Sequence, residues 1–330
     1  MLHLRLITPS DKTADVVRLI EKTVGTTHLV VLPGTARNPA GDVVMCDVAR
    51  EAGDELLSKL QELDLDKLGS IAVENIDLSL SKRADKAEDE APGEAADAVL
   101  WEHLAEATHE ESTLSITYVA FITLATMIAA CGVVLDNAIL IVGAMAVGPE
   151  FGPLAGFSTA IVQRHPRLAV RSLIALLVGF AVAMAVTVAF SLFMDSIGEF
   201  TREQLDATRP NTAFIYAPDE FSFIVAVLAG IAGTLSLTSA KSGALVGVAI
   251  SVTTVPAAAN AAVALSYGDT KQTWGSTEQL LLNLLGITLA GTLTLLAQKW
   301  LWAGQRGRPV KTSGVQQGVL SAGDKGVPEN

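Results

Sequence analysis

Along the first 80 residues the apolar positions switch between a period of two and a period near 3.6. The stretch LHLRLIT (2–8) alternates and predicts a strand. DKTADVVRLIEKT (11–23) sets Val16, Val17, Leu19 and Ile20 toward one side and predicts a helix, with Asp11 or Thr13 as its cap. Strands follow at 27–33 and 42–49, joined by the turn-rich GTARNPAG (34–41). An amphipathic helix at 53–63 and a strand at 70–80 complete the order βαββαβ. That is the split βαβ order of ferredoxin-like domains, ACT-type regulatory domains among them, and it predicts a small α+β domain over 1–80.

Residues 81–113 break the pattern. Their first half is charged and poor in apolar residues and reads as a flexible connection. Their second half sets Val99, Leu100, Leu104 and Ala107 near helical spacing beside Trp101. It predicts an amphipathic helix leading to a membrane, with Trp101 at the interface.

Between 114 and 302 the polar positions thin out. Apolar stretches run over 116–135, 138–162, 172–194, 221–240, 243–266 and 279–298, each 20 to 25 residues long. Each is long enough for a hydrocarbon core about 30 Å thick, and six in succession argue against core helices of a large soluble protein. The predicted fold class is an α-helical polytopic membrane domain of six spans behind the α+β domain. Residues 303–330, rich in Gly, Ser and Gln, read as a disordered tail.

Charge adds an orientation. Arg164, Arg167 and Arg171 follow the second stretch, Lys241 the fourth, and Lys299, Arg306, Arg308 and Lys311 the sixth. If all six cross, these lie on one side, which is then cytosolic with both termini. The other side receives the turn Asp136–Asn137, the loop 195–220 with six acids against two arginines, and the loop 267–277 with Lys271 alone. The first thirty residues lack a basic start followed by an apolar run, so no secretory signal is expected and the inner membrane is the expected location. Of the chain's 35 acidic residues, 23 fall in residues 1–115, which carry the whole net charge of −12. With no basic stripe, a nucleic-acid partner is not expected. Cys46 and Cys131 fit neither a disulfide framework nor a zinc pattern.

The two halves of the apolar region align at an offset of 104. Gly143 falls on Gly247, Tyr118 on Ser222, and the prolines 149 and 153 correspond loosely to Pro256. With three crossings per half the second half is upside down, so a 3+3 inverted repeat is expected; chance alignment of apolar segments is the alternative.

GAMAVGPEFGPLAG (143–156) sits inside the second stretch. Pro149 and Pro153, preceded by Gly148 and Gly152, each remove a helix hydrogen bond, at about 3 kcal/mol apiece in a helix interior. Freed backbone at membrane depth is tolerated only inside protein or along a wet cavity. Glu150 lies between the breakers, where a charge costs roughly 2.5–3.5 kcal/mol. It reads as an ion or proton site, or as one end of a polar pair. The alternatives are a protonated carboxyl bonded to nearby backbone, and a break that brings Glu150 to the interface. Its expected partners across the repeat are Thr254, Pro256 and Asn260 within SVTTVPAAAN (251–260), where Ser251 and Thr253 add hydroxyls and Pro256 frees the Val252 carbonyl. Ser and Thr also bond their own helix backbone. Asn283 is a weaker candidate, and Asp136–Asn137 reads as a plain turn.

The run from Glu111 to Gly156 (ESTLSITYVAFITLATMIAACGVVLDNAILIVGAMAVGPEFGPLAG) and the later GALVGVAISVTTVPAAANAAVAL (243–265) resemble the bacterial membrane family called domain of unknown function 389. The resemblance covers about 110–302 and implies the membrane architecture more than a reaction. Glu150 stands where many of that family carry an apolar residue, and Pro256–Ala257 where many carry a double proline.

Three function classes compete. A transporter or channel-like protein for a small solute or ion fits the broken spans and the intramembrane carboxylate. Its pathway would comprise Gly148, Pro149, Glu150, Gly152, Pro153, Thr254, Pro256 and Asn260. A membrane-anchored sensor or scaffold would use the α+β domain to bind a ligand or a second copy, with 32–41 as a binding loop or an ordinary connection. An enzyme is not expected: no intramembrane Ser–His or paired aspartates, no H-E-x-x-H and no P-loop occur. His103 and His109, six apart, read as a solvated face. No metal or cofactor is expected; the expected partners are the lipid bilayer, the solute or ion and further copies of the chain.

Overall fold

A computed structural model describes residues 1–76, 78–91, 98–217, 219–239 and 253–305. Contacts divide the chain into two compact units, Met1–Ala98 and Val99–Leu301.

The first unit is built on β1 (Leu2–Thr8), α1 (Thr13–Lys22), β2 (Thr26–Arg37), β3 (Ala40–Val48), α2 (Arg50–Glu62), the short α3 (Leu65–Leu68), β4 (Ser70–Asn75) and α4 (Lys82–Glu90). The four strands form one sheet in the order β2-β3-β1-β4, antiparallel at every pairing. Alternation decides which face is covered. Leu2, Leu4 and Leu6 are buried with Val44, Cys46 and Val48, and Val16, Ile20, Leu56 and Leu60 are buried on α1 and α2. Each such side chain contributes about 1.5–3 kcal/mol of burial.

Three predicted boundaries move. The connection expected over 34–41 is absorbed into a hairpin: β2 runs on to Arg37 and β3 begins at Ala40, turning at Asn38–Pro39. The Asp42 carboxylate organises it, accepting from Ser10 Oγ at 3.1 Å, Thr13 Oγ1 at 2.6 Å and Gly34 N at 2.8 Å. Thr13 first, then Gly34, hold this carboxyl below the ordinary Asp value. Pro33 is tolerated because β2 is an edge strand. β4 stops at Asn75, not at 80, and Leu78 and Leu80 stand exposed. The segment read as flexible carries α4, because Ser81 Oγ caps it by accepting from Arg83 N and Ala84 N, and its Ala84 and Ala87 are buried.

The second unit is helical: α5 (Trp101–Glu111), α6 (Ile116–Val134), α7 (Ala138–Val147), α8 (Phe151–Gln163), α9 (Pro166–Ser196), α10 (Arg202–Asp206), α11 (Glu220–Thr238), α12 (Thr254–Ser266) and α13 (Thr270–Gln305). Among the described residues four helices, α6, α9, α11 and α13, are long and apolar enough to cross a membrane. The pair α7 and α8, bent by 51°, makes a fifth if counted as one span. The expected fifth stretch, 243–266, is described only from Thr253 on, as the 13-residue α12; its earlier part and Ser251 lie outside the described residues. Six spans are therefore an expectation that the described residues do not reach. Residues 306–330, expected to be a disordered tail, also lie outside them.

α12 explains the architecture of this unit. Val255, Ala257, Ala258, Ala259, Ala261, Ala262, Val263 and Ala264 are all 0% exposed. A helix buried on every side belongs at a core, and alanines let α6, α7 and α9 approach it closely. The outer helices show the reverse face. On α13, Leu281, Leu285, Leu289 and Leu293 are each more than half exposed at four-residue spacing. Such an apolar outer surface on several long helices is that of a membrane protein. α11 meets α13 where a Cβ on Gly230 would lie 2.7 Å from the Ile287 carbonyl oxygen and 2.8 Å from Ala290 Cβ.

Candidate functional site

The break between α7 and α8 is where the sequence places it, over Gly148–Glu150, but one proline makes it. Pro149 forces Gly148 into extended backbone (φ −65°, ψ 127°), which ends α7. Pro153 breaks nothing. It is the third residue of α8, in the first turn, where no intrahelical N–H is needed. Pro256 is likewise the third residue of α12. The expectation of two interior breakers in the second stretch is corrected accordingly.

Glu150 is the residue preceding α8, yet its side chain makes no capping bond. It reaches α12 instead: Thr254 Oγ1 donates to Glu150 Oε1 at 2.6 Å. Oε2 has no hydrogen-bond partner among the described residues, and the residue is 5% exposed. The carboxylate thus stands at the N-termini of two half-length helices, whose partial positive charge favours an anion there. Glu150 is buried within the protein, and no cation pairs with it among the described ion pairs.

The glycines serve close approach. A Cβ on Gly148 would run into the Glu150 carboxylate and lie 2.8 Å from Val255 Cγ2. A Cβ on Gly152 would lie 2.6 Å from Glu111 Cβ. Beside them is a cavity of about 400 Å³ whose walls include Glu110, Glu111, Tyr118, Gly148, Pro149 and Gly152. Tyr118, 6% exposed, has no partner for its hydroxyl among the described residues. Burial, then the neighbouring Glu110, pushes the Glu111 carboxyl above the ordinary Glu value. The sequence reading set Glu111 on the solvated face with His103 and His109 and used Tyr118 only to align the halves, so neither was expected at a site, although both lie in the motif that carries the family resemblance.

Asn260 belongs elsewhere. Six residues beyond Thr254, it is about 9 Å farther along α12 and on another side of it. Its Oδ1 accepts from Arg209 Nη1 at 3.1 Å, and its Nδ2 donates to Ser276 Oγ at 2.7 Å. Arg209, 2% exposed, also donates to Gln272 Oε1 and to the Val133 carbonyl, and it stacks 4.9 Å from the Tyr216 ring centroid. Burial pulls its guanidinium below the ordinary Arg value, against the opposing pull of Tyr216 and, farther off, Asp136 and Asp269. Arg209 sits in a loop read only for its net charge. Asn283, the weaker candidate, donates to Thr253 Oγ1 at 2.8 Å. Asp136 is more than a plain turn: it accepts from Asn211 N at 3.1 Å and Thr212 Oγ1 at 2.9 Å, while Asn137 caps α7.

In the first unit Asp47 Oδ1 and Oδ2 lie 2.7 Å from His3 Nδ1 and His28 Nδ1, and His28 Nε2 lies 2.9 Å from Ser81 Oγ. The order Ser–His–Asp is that of a hydrolytic triad. Ser81 Oγ, however, is engaged by two backbone N–H groups at the start of α4, so this chain of bonds clasps α4 to the sheet.

Residues 145–289 match the family described as domain of unknown function (DUF389), the family the sequence resembles; the matched stretch holds both Glu150 and Thr254. An uncharacterized protein of Methanocaldococcus jannaschii is 26% identical over 211 residues, 64% of this chain. The match spans 63% of that relative's length, less than two thirds. No solved structure matches the chain.

Proposed function

We propose that the DUF389 region of this chain conducts a small solute or ion across the inner membrane, as a multi-pass transporter or channel-like protein with both termini cytosolic. Its pathway passes the junction of Glu150 with Thr254. The observation that carries the reading is Glu150 Oε2: a buried carboxylate oxygen with no partner among the described residues, against the glycine that walls a cavity of about 400 Å³. Ionisable side chains within membrane spans mark ion and proton paths. The acids Glu110 and Glu111 on the same wall favour a cation over an anion.

The lengths of the helices support the inverted repeat. α6 and α11 are both 19 residues long and start 104 apart; α8 and α12 are both 13 long and start 103 apart; α9 and α13 start 104 apart. Glu150 and Thr254, themselves 104 apart, touch. Equivalent positions meet where they lie near the axis relating the halves, which is where repeat-built transporters place their sites.

The test is flux of a monovalent cation tracer and of protons in proteoliposomes holding wild type or Glu150→Gln. The variant is expected to lose most of the flux and its pH dependence. Equal flux and equal pH profiles remove Glu150 from the pathway, and no flux of any tested solute by wild type overturns the transport reading. In that case the second reading gains: a membrane-anchored scaffold whose α+β unit self-associates or binds a ligand. It draws on the open face of the sheet, where Val30 and Leu32 are 42% and 40% exposed.

A further inference from the structure

The acid-lined cavity has a basic counterpart across the α5–α6 junction, with Thr113 shared by both. There a groove of about 640 Å³ is walled by Leu114, Val170 and Ile174 below and by Thr113, Arg167 and Arg171 above. No acid is among its wall residues. Arg167, Val170, Arg171 and Ile174 follow the i, i+3, i+4, i+7 spacing of one helix face. From Arg167 to Ile174 that face descends about 10 Å along α9. Cations at the mouth and apolar side chains a turn or two deeper match the order of a lipid, phosphate first and acyl chain next. Leu114, Val170 and Ile174 are 39%, 57% and 47% exposed, so the wall is open to such a chain.

Two features aim the upper end at an anion. Arg171 Nη1 donates to His109 Nε2 at 2.8 Å, and Nη2 donates to Thr113 Oγ1. These bonds use two of the five guanidinium N–H groups and fix the plane of the rest. α9, 31 residues long, starts at Pro166 with no side-chain cap from His165, so its first turn keeps unsatisfied N–H groups and a positive end.

We infer that this groove binds one anionic phospholipid, its phosphate between Arg167 and Arg171 and an acyl chain along Val170, Ile174 and Leu114. The inference needs the chain to lie in a bilayer and is independent of transport. A zwitterionic lipid brings its own cation to the arginines and loses the attraction. A free phosphate ion leaves the apolar wall uncovered.

The test uses the full-length protein in detergent, with thermal melting and native mass spectrometry during titration with phosphatidylglycerol, phosphatidylcholine or inorganic phosphate. Phosphatidylglycerol is expected to raise the melting temperature saturably and to leave one bound lipid per chain, while the other two do neither. Arg167→Gln, an exposed position, is expected to weaken the lipid about fivefold. Arg167→Gln with Arg171→Gln weakens it further, and Arg164→Gln, outside the groove, changes nothing. Because Arg171→Gln also removes the bonds to His109 and Thr113, the single Arg167→Gln variant carries the result if the double variant does not fold. Equal effects of phosphatidylcholine, a full effect of inorganic phosphate, or wild-type affinity in Arg167→Gln overturns the inference.

Discussion

Glu150 and Arg209 are both buried ionisable residues in the helical unit, and neither forms an ion pair among the described residues. Their surroundings differ in kind. Arg209 spreads its charge over Asn260, Gln272 and the Val133 carbonyl and lies on the Tyr216 ring, so it joins a loop to α6, α12 and α13. Glu150 has one donor, Thr254, and turns its second oxygen to the glycine at the edge of a cavity. A buried ion that gathers several neutral partners acts as a lock, even with one N–H, Arg209 Nε, left without a partner among the described residues. One left with an open lone pair beside free volume is placed to receive something. Burial alone separates neither case; the count of partners and the adjoining space do.

The contrast sets an order of expected effects. Removing Arg209 is the most costly change. Arg209→Ala strands the Asn260 and Gln272 oxygens inside the unit, with an expected loss of about 2–5 kcal/mol, read from unfolding in detergent. A variant that melts with wild type breaks the picture of a lock. Next comes Thr254→Val, which takes the single donor from a buried acceptor, at about 1–3 kcal/mol. Thr254→Ser keeps the hydroxyl and is expected to recover most of that. Glu150→Gln preserves size and the acceptor for Thr254, so its stability is expected within about 1 kcal/mol of wild type while cation flux falls. A stability loss as large as that of Arg209→Ala would erase the distinction between the two sites.

The smallest effect concerns Glu111 at the cavity. Glu111 is exposed as a residue, but partial desolvation of its carboxyl, then the neighbouring Glu110, holds it above the ordinary Glu value, so the folded form binds the proton more tightly than the unfolded chain. That contribution is complete below the ordinary value and is lost as pH rises through the raised one. Glu111→Gln is therefore expected to raise the melting temperature at pH 8 and to leave it unchanged near pH 4. A shift of equal size at both pH values would assign the change to packing on Gly152.

Much of this is legible in the sequence, and each reason is specific. Alternation placed β1 to the residue, because one face of the sheet is covered and a slip of one residue would reverse every side chain. The break at Gly148 was legible from Pro149, and Thr254 stood among the residues of 251–260 expected beside Glu150. Helix geometry alone separates Asn260 from Thr254, since six residues turn a helix by about 240°. Its assignment to the Glu150 cluster overlooked that rotation. Arg209 left no periodic signal, because it acts from a loop whose path no local pattern fixes. The hairpin beyond Leu32 was hidden because Gly, Pro and Asn mark a turn without saying how far the strands run past it.

The exposed leucines of α13 carry one more consequence. Each step of four residues overshoots a full turn by about 40°, so from Leu281 to Leu293 the outer stripe winds through roughly 120°. A helix whose covered side spirals in this way meets its neighbours at a slant and touches each over a short length. Against α11 the close approach lies at Gly230, where main chain meets main chain. That spot is a fulcrum: any bulk inserted there levers both ends of the two helices apart, whereas the same bulk near either end displaces only that end.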